Sequence, residues 1–140
     1  MLPHMLSDHE LKALLAKVKT IAVLGANDSP GRPVDMVGRY LLAAGCTVLP
    51  VHPKRKTVWG LPAFARLADL PCPADLIDLF RAADHCPGHA REVLDLSWRP
   101  AGFWMQSGIV SPEARAVLDG SGVTVVEDRC LMVEHRRLRP

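Results

Sequence analysis

The sequence predicts an α/β domain: one doubly wound, five-stranded parallel sheet in strand order 3-2-1-4-5, with helices on both faces. Three observations carry this. Five short apolar runs alternate with segments of helical periodicity. The first run, Ile21 to Leu24, ends on Gly25 and enters a small, polar, basic loop, Ala26 to Arg32, followed by a helix opened by Pro33. The length, 140 residues, suits a single domain covering residues 1–140, and no repeat or linker divides it.

Ser7 is placed as an N-cap, with Glu10 three residues later completing a capping box. Leu11, Leu14, Leu15 and Val18 form one stripe, so Asp8 to Lys19 is expected as a helix packed on the sheet edge or face. Ile21 to Leu24 is continuously apolar, as in a parallel strand covered on both sides. Pro33 suits a first helical position, because its missing N–H would be unpaired there anyway. Met36, Val37, Tyr40, Leu41 and Ala44 then recur at helical spacing, and Gly45 ends the helix. Cys46 to Val51 is the second strand, followed by a basic turn. A short helix is expected over Ala63 to Asp69 and a third strand over Leu76 to Phe80. Next come a helix from about Pro87 to Leu96 and a fourth strand over Ala101 to Gln106. Ser111 caps a helix with Pro112 at its first position, running to Asp119, and Gly120 and Gly122 end it. Val123 to Val126 is the fifth strand. The closing segment, EDRCLMVEHRRLRP, carries no assigned element.

Composition narrows the function. A chain that is 49% hydrophobic buries roughly 70% of its unfolded surface at this length. The net charge of +2, the few aromatics and the lack of a long basic run give no footprint for nucleic acid. No apolar run approaches the roughly 20 residues needed to span a bilayer, and MLPHMLSDHE has no secretory pattern, so no membrane partner and a cytoplasmic location are expected. Cys46, Cys72, Cys86 and Cys130 form no CxxC or CxH pair, which argues for free thiols in a reducing compartment and no metal site.

The loop after the first strand is GANDSPGR. A dinucleotide fingerprint needs GxGxxG, and only Gly25 fits, with Ala26 a small substitute. NAD sites place Asp or Glu at the end of the second strand, against the ribose hydroxyls. Here that place reads VHPKRK, with Lys54, Arg55 and Lys56 and no acid. A ribose carrying a phosphate is favoured, as in NADP or coenzyme A. The Arg32 guanidinium suits a phosphate or pyrophosphate. A solvated turn at Lys54 to Lys56, and Arg32 as a helix cap, are the plainer accounts. The two signals gain weight together, at the carboxyl ends of adjacent strands where ligands bind.

The pieces IAVLGANDSPGRP, YLLAAGCTVLPVHPK, DLIDLFR, FWMQSGI and VVEDRCLMVEHRRL, in this order, resemble the stand-alone CoA-binding proteins. That family is related to the amino-terminal domain of the succinyl-CoA synthetase α subunit. The resemblance covers roughly Val18 to Leu138. It implies a Rossmann-like domain with CoA, free or acylated, across the carboxyl edge of the sheet. Gly25, Ala26 and Asn27 would line the turn under the nucleotide, and Arg32 and Pro33 would sit by the phosphates. Val51, His52, Pro53 and Lys54 would line the adenosine side, with Lys54 at the 3′-phosphate. Phe80 and Arg81 would border the cleft, and Gln106, Ser107, Gly108 and Ile109 would face the pantetheine. Three residues depart from the family pattern: His52 replaces a usual Asn, Val34 a small hydroxyl residue, and Asn27 a usual Ser.

No catalytic set is visible. A nucleophile needs an adjacent base and an orienting group. His4 and His9 lie near a terminus, and His85 and His89 are expected on a helix surface. Asp75 and Asp78 are expected in loop or helix-end contacts, and Asp128 and Arg129 in a mutual contact fixing the last turn. Cys130, activated by Arg129, is the one candidate reactive thiol, able to form a mixed disulfide with CoA. In the synthetases the phosphorylated histidine lies in a further domain that has no counterpart in this sequence. The expectation is a non-catalytic CoA-binding carrier, sensor or regulatory module. The alternatives are an NADP-dependent oxidoreductase-like domain and an interaction protein with a vestigial site. The basic tail, Glu134 to Pro140, is expected either as a contact for a homodimer or another protein or as a solvated end.

Overall fold

The computed structural model describes residues 5–140, so His4 lies outside the described residues. In chain order the elements are α1 (Asp8–Ala16), β1 (Thr20–Leu24), α2 (Pro33–Ala43), β2 (Thr47–Val51), β3 (Thr57–Val58) and β4 (Leu61–Pro62). Then follow β5 (Leu76–Leu79), α3 (Cys86–Leu94), β6 (Gly102–Met105), α4 (Pro112–Leu118), β7 (Thr124–Val126) and α5 (Leu131–Leu138). All five expected strands are present and parallel, in one doubly wound sheet.

The order of that sheet is β2-β1-β5-β6-β7, which is 2-1-3-4-5 in the count of its own strands. The expected 3-2-1-4-5 is corrected: the third strand pairs with β1, not beyond β2. The reason is that the outer edge of β2 is already taken. The Phe64 N–H donates to the Pro50 carbonyl and the His52 N–H to the Phe64 carbonyl, both at 2.9 Å. The segment that was expected to be a helix over Ala63 to Asp69 is this edge pairing plus one 3-10 turn, Leu67–Asp69. The chain must then cross back to the free side of β1. Asp75 fixes the entry of β5 there, its Oδ2 accepting from the Lys19 and Thr20 N–H groups at 2.9 Å each.

Alternate residues of each strand feed two cores. Ile21, Val23, Leu76, Trp104 and Val126 pack under α1, α2 and α5. Ala22, Leu24, Ile77, Leu79, Phe103, Met105 and Val125 pack under α3 and α4. The capping box of α1 forms as expected, Ser7 Oγ accepting from the Glu10 N–H and Glu10 from the Ser7 N–H, at 3.1 Å each. Ser111 Oγ caps α4, accepting from the Ala114 N–H at 3.1 Å. The unassigned closing segment is α5. It lies beside α2, where the Tyr40 hydroxyl meets His135 Nδ1 at 2.8 Å, and Arg137 bridges to Asp8 with bonds of 2.7 and 2.8 Å.

Two local arrangements are unusual. The first is the β3–β4 hairpin. Its two-residue turn, Trp59–Gly60, has φ of 53° and 72°, as a type I′ turn requires at both positions. A bulky Trp in the left-handed region is disfavoured. Its indole is held by packing on Gly38 in the middle of α2 and by donating to Asp35 Oδ1 at 2.9 Å. The second is Asp78 in the centre of β5. It is fully buried between Val23 and Trp104, and neither carboxylate oxygen has a partner. Burial pushes its carboxyl well above the usual range, because it disfavours the charged form. The expected loop or helix-end contact holds for Asp75 and is corrected for Asp78.

Both arrangements are testable. Alanine is the better helix former by about 1 kcal/mol. Gly38→Ala should nevertheless destabilise the fold by about 1–3 kcal/mol, because its Cβ collides with the indole, and tryptophan fluorescence should shift. A stabilised variant would show that Trp59 does not pack on α2. For Asp78, the unfolded carboxyl loses its proton above about pH 4 while the buried one keeps it, so stability falls as pH rises. Relative to wild type, Asp78→Asn should gain stability from pH 4 upward, by up to about 1.4 kcal/mol per pH unit. Urea denaturation at several pH values reads this, and a pH-independent difference would contradict it.

Candidate functional site

The turn after β1 sets the site. The Gly25 and Ala26 N–H groups both donate to the Val51 carbonyl, at 3.1 and 3.3 Å. Gly25 has φ of 79°, and a Cβ there would run into the Phe80 carbonyl at the end of β5. The glycine is required twice over, by its backbone region and by the close approach of its neighbour. Ala26 is fully buried beneath the turn. Asn27 Oδ1 accepts from the Ser29 N–H at 2.9 Å and holds the loop leading to α2.

A cleft of about 500 Å³ opens above this turn. Gly25, Asn27, Arg32, Pro33, Phe80, Arg81, Gln106, Ser107 and Ile109 line it, nine residues that sequence reasoning had placed at the site. A smaller lobe of about 260 Å³ adjoins it across Gly25 and Arg81, with Val51 and Pro53 in its wall. His52, Lys54 and Gly108 line neither cavity. His52 turns back instead, its Nδ1 accepting from the Lys54 and Arg55 N–H groups at 3.0 and 3.1 Å. That is the service an Asn oxygen performs in such a turn, and it places the ring proton on Nε2. Burial, then the charges of Arg55, Arg81 and Lys54, pushes the His52 imidazole down, so it is neutral at pH 7.

The cations near the cleft divide into committed and free. Arg55 pairs with Asp28 Oδ1 at 3.0 Å, and Asp28 Oδ2 also accepts from the Trp59 N–H. Arg32 and Lys54 have no ion pair among the described residues. Arg81, half-buried where the two lobes meet, has a buried Nε without any partner. The main cleft contains these two arginines and no Asp or Glu. Arg32 stands at the N-terminus of α2 but caps it with no side-chain bond, so its guanidinium is not a helix cap. The backbone N–H groups of that terminus add partial positive charge.

Beyond the expected set, Val34, Ala82 and Cys130 line the main cleft, and Ala65, Arg66, His89 and Glu92 line the lobe. The expected surface place of His89 is corrected. It is half-buried, its Nδ1 bonded to Glu92 at 2.9 Å and its Nε2 buried without a partner. Burial acts to raise the Glu92 carboxyl, but bonds from His89 and the Leu67 N–H hold it below the usual range. The His-x-x-Glu spacing at the start of a helix was the available signal.

The turns after β6 and β7 lock together. Gln106 accepts from the Leu131 N–H at the start of α5, and Asp128 from the Gly108 N–H. The expected Asp128–Arg129 contact is corrected, because Arg129 faces Glu134 and its carbonyl accepts from the Trp104 indole.

Known proteins place this arrangement. A solved Thermus thermophilus protein is 48% identical, covers 95% of this chain and 99% of its own, and superposes with a TM-score of 0.88. A hypothetical protein from Pyrococcus horikoshii is 30% identical, with 96% and 94% covered and a TM-score of 0.90. The uncharacterized protein YneT of Bacillus subtilis is 36% identical over 129 residues, 92% of this chain and 94% of its own length. Residues 19–136 match the model of the CoA binding domain, and with these relatives along almost its whole length the chain belongs to the CoA binding domain family.

Proposed function

We propose that this protein binds coenzyme A along the carboxyl edge of its sheet and acts as a non-catalytic carrier, sensor or regulatory module. The observation that carries the reading is the pair of arginines, Arg32 and Arg81, facing one acid-free cleft without carboxylate partners. Unpaired guanidiniums at a helix N-terminus suit a pyrophosphate. The adenosine end extends into the lobe walled by Val51 and Pro53. There His89 Nε2, with Nδ1 given to Glu92, accepts from the exocyclic amine of the base. Lys54, exposed beside that lobe, meets the 3′-phosphate. The pantetheine arm runs the other way, past Gln106, Ser107, Ile109 and Cys130. Asn27, bonded within its own turn, shapes the loop that carries Arg32.

Thermal shift with CoA, dephospho-CoA, NADP and NAD tests the ligand. A ligand at a hundred times its dissociation constant stabilises by about 2.7 kcal/mol. CoA should stabilise most, dephospho-CoA less, and Lys54→Ala should remove the difference between them. A larger shift with NADP would transfer the cleft to an oxidoreductase-like role.

Calorimetry on variants tests the arginines. Arg81→Ala should weaken CoA about 10- to 100-fold, as expected for a half-buried charged donor. Arg32→Ala, at an exposed position, should cost only a few-fold. The reverse ranking would place the pyrophosphate elsewhere.

A further inference from the structure

We infer that the ligand is an acyl-CoA whose apolar acyl chain lies in a second groove, beyond the pantetheine end of the cleft. This inference rests on the proposed CoA site.

The groove measures about 500 Å³, within the roughly 300–1,000 Å³ usual for small-ligand pockets. It runs beside β7, between the start of α1, the turn after β6 and α5. Ser107 and Cys130 line both the main cleft and this groove, so the two meet where a CoA sulfur would emerge. Four large apolar side chains are strongly exposed among the described residues: Met5, Met36, Val110 and Val133. Three of them, Met5, Val110 and Val133, line this one groove. Val125 and Val126, largely buried in the sheet, reach it only at its edge. An exposed apolar cluster of this kind calls for an occupant.

Charge selects the occupant. The main cleft holds two unpaired cations and no acid. In the groove Arg115 pairs with Glu127, Arg129 with Glu134, and Asp128 accepts from the Gly108 N–H. Its charged groups are thus satisfied among themselves, with three acids to two bases. A second phosphate has nothing to bind there, whereas an uncharged hydrocarbon gains by covering the valines. The sheet edge gives the length. From β2 to β7 there are four strand spacings of about 4.8 Å, roughly 19 Å in all. The adenosine lobe, the phosphate cleft and the apolar groove succeed one another along that edge, in the order of the parts of an acyl-CoA.

The test is isothermal calorimetry of the full chain with CoA, acetyl-CoA, butyryl-CoA and octanoyl-CoA. A partly covered chain gains about 1.5- to 2-fold per methylene, so octanoyl-CoA should bind at least tenfold tighter than acetyl-CoA. Val110→Asp and Val133→Asp, both at exposed positions outside the main cleft, should abolish that gain and leave the affinity for CoA unchanged. If CoA binds but affinity does not rise with chain length, the groove assignment is overturned and the CoA site stands. If no CoA species binds, both fall. A wild-type dimer in sedimentation that Val133→Asp dissociates would give the groove to a second copy of the chain, and would likewise overturn the inference.

Discussion

The close approach of Gly25 to the Phe80 carbonyl is the constraint on which the rest of the site depends. It exists because β1 pairs with β2 on one side and β5 on the other. The connections that leave β1 and β5 run to opposite faces of the sheet, to α2 and α3, and a crevice opens at the switch between them. Had the third strand lain outside β2, the neighbour of Gly25 would have been the end of β6. Arg81 would then have been two strands from the cleft. The edge pairing of Phe64 with β2 therefore has a functional consequence, since it directs β5, and with it Arg81, to the centre of the site.

Electrostatics divides residues that look alike in one dimension. Lys54, Arg55 and Lys56 form a single basic turn in the sequence. In the fold, Arg55 is drawn away by Asp28, which also anchors the hairpin through the Trp59 N–H. Arg32 and Arg81, 49 positions apart in the sequence, end on the same cleft without a carboxylate between them. An anion can neutralise both at once. Along the same edge the groove beside β7 has its charges paired off and its valines uncovered. A ligand charged at one end and apolar at the other fits that gradient.

Two features weaken the fold and stay close to the site. Asp78 is a buried, unpartnered carboxyl in the strand that leads into Phe80 and Arg81. Trp59 holds a left-handed backbone at the tip of the hairpin joined to the Asp28 loop. Buried unsatisfied groups and backbone strain cost on the order of 1–3 kcal/mol each. Surrounding packing sustains both, through Val23 and Trp104 for Asp78 and through Gly38 and Asp35 for Trp59.

What can be read along the chain is local. Apolar runs named the five strands, Ser7 with Glu10 and Ser111 with Pro112 marked helix starts, and Gly25 marked the turn at the site. These are legible because periodicity, caps and backbone permissiveness act over a few residues. The resemblance of five ordered pieces pointed to the CoA binding domain family, which the match over residues 19–136 bears out. The strand order, the helix in the basic tail, the inward turn of His52 and the lobe formed by His89 and Glu92 emerge only in the folded chain. Each depends on which surfaces and charges compete across the chain. An edge already paired with Phe64, or an arginine already held by Asp28, exists only once residues distant in sequence have met.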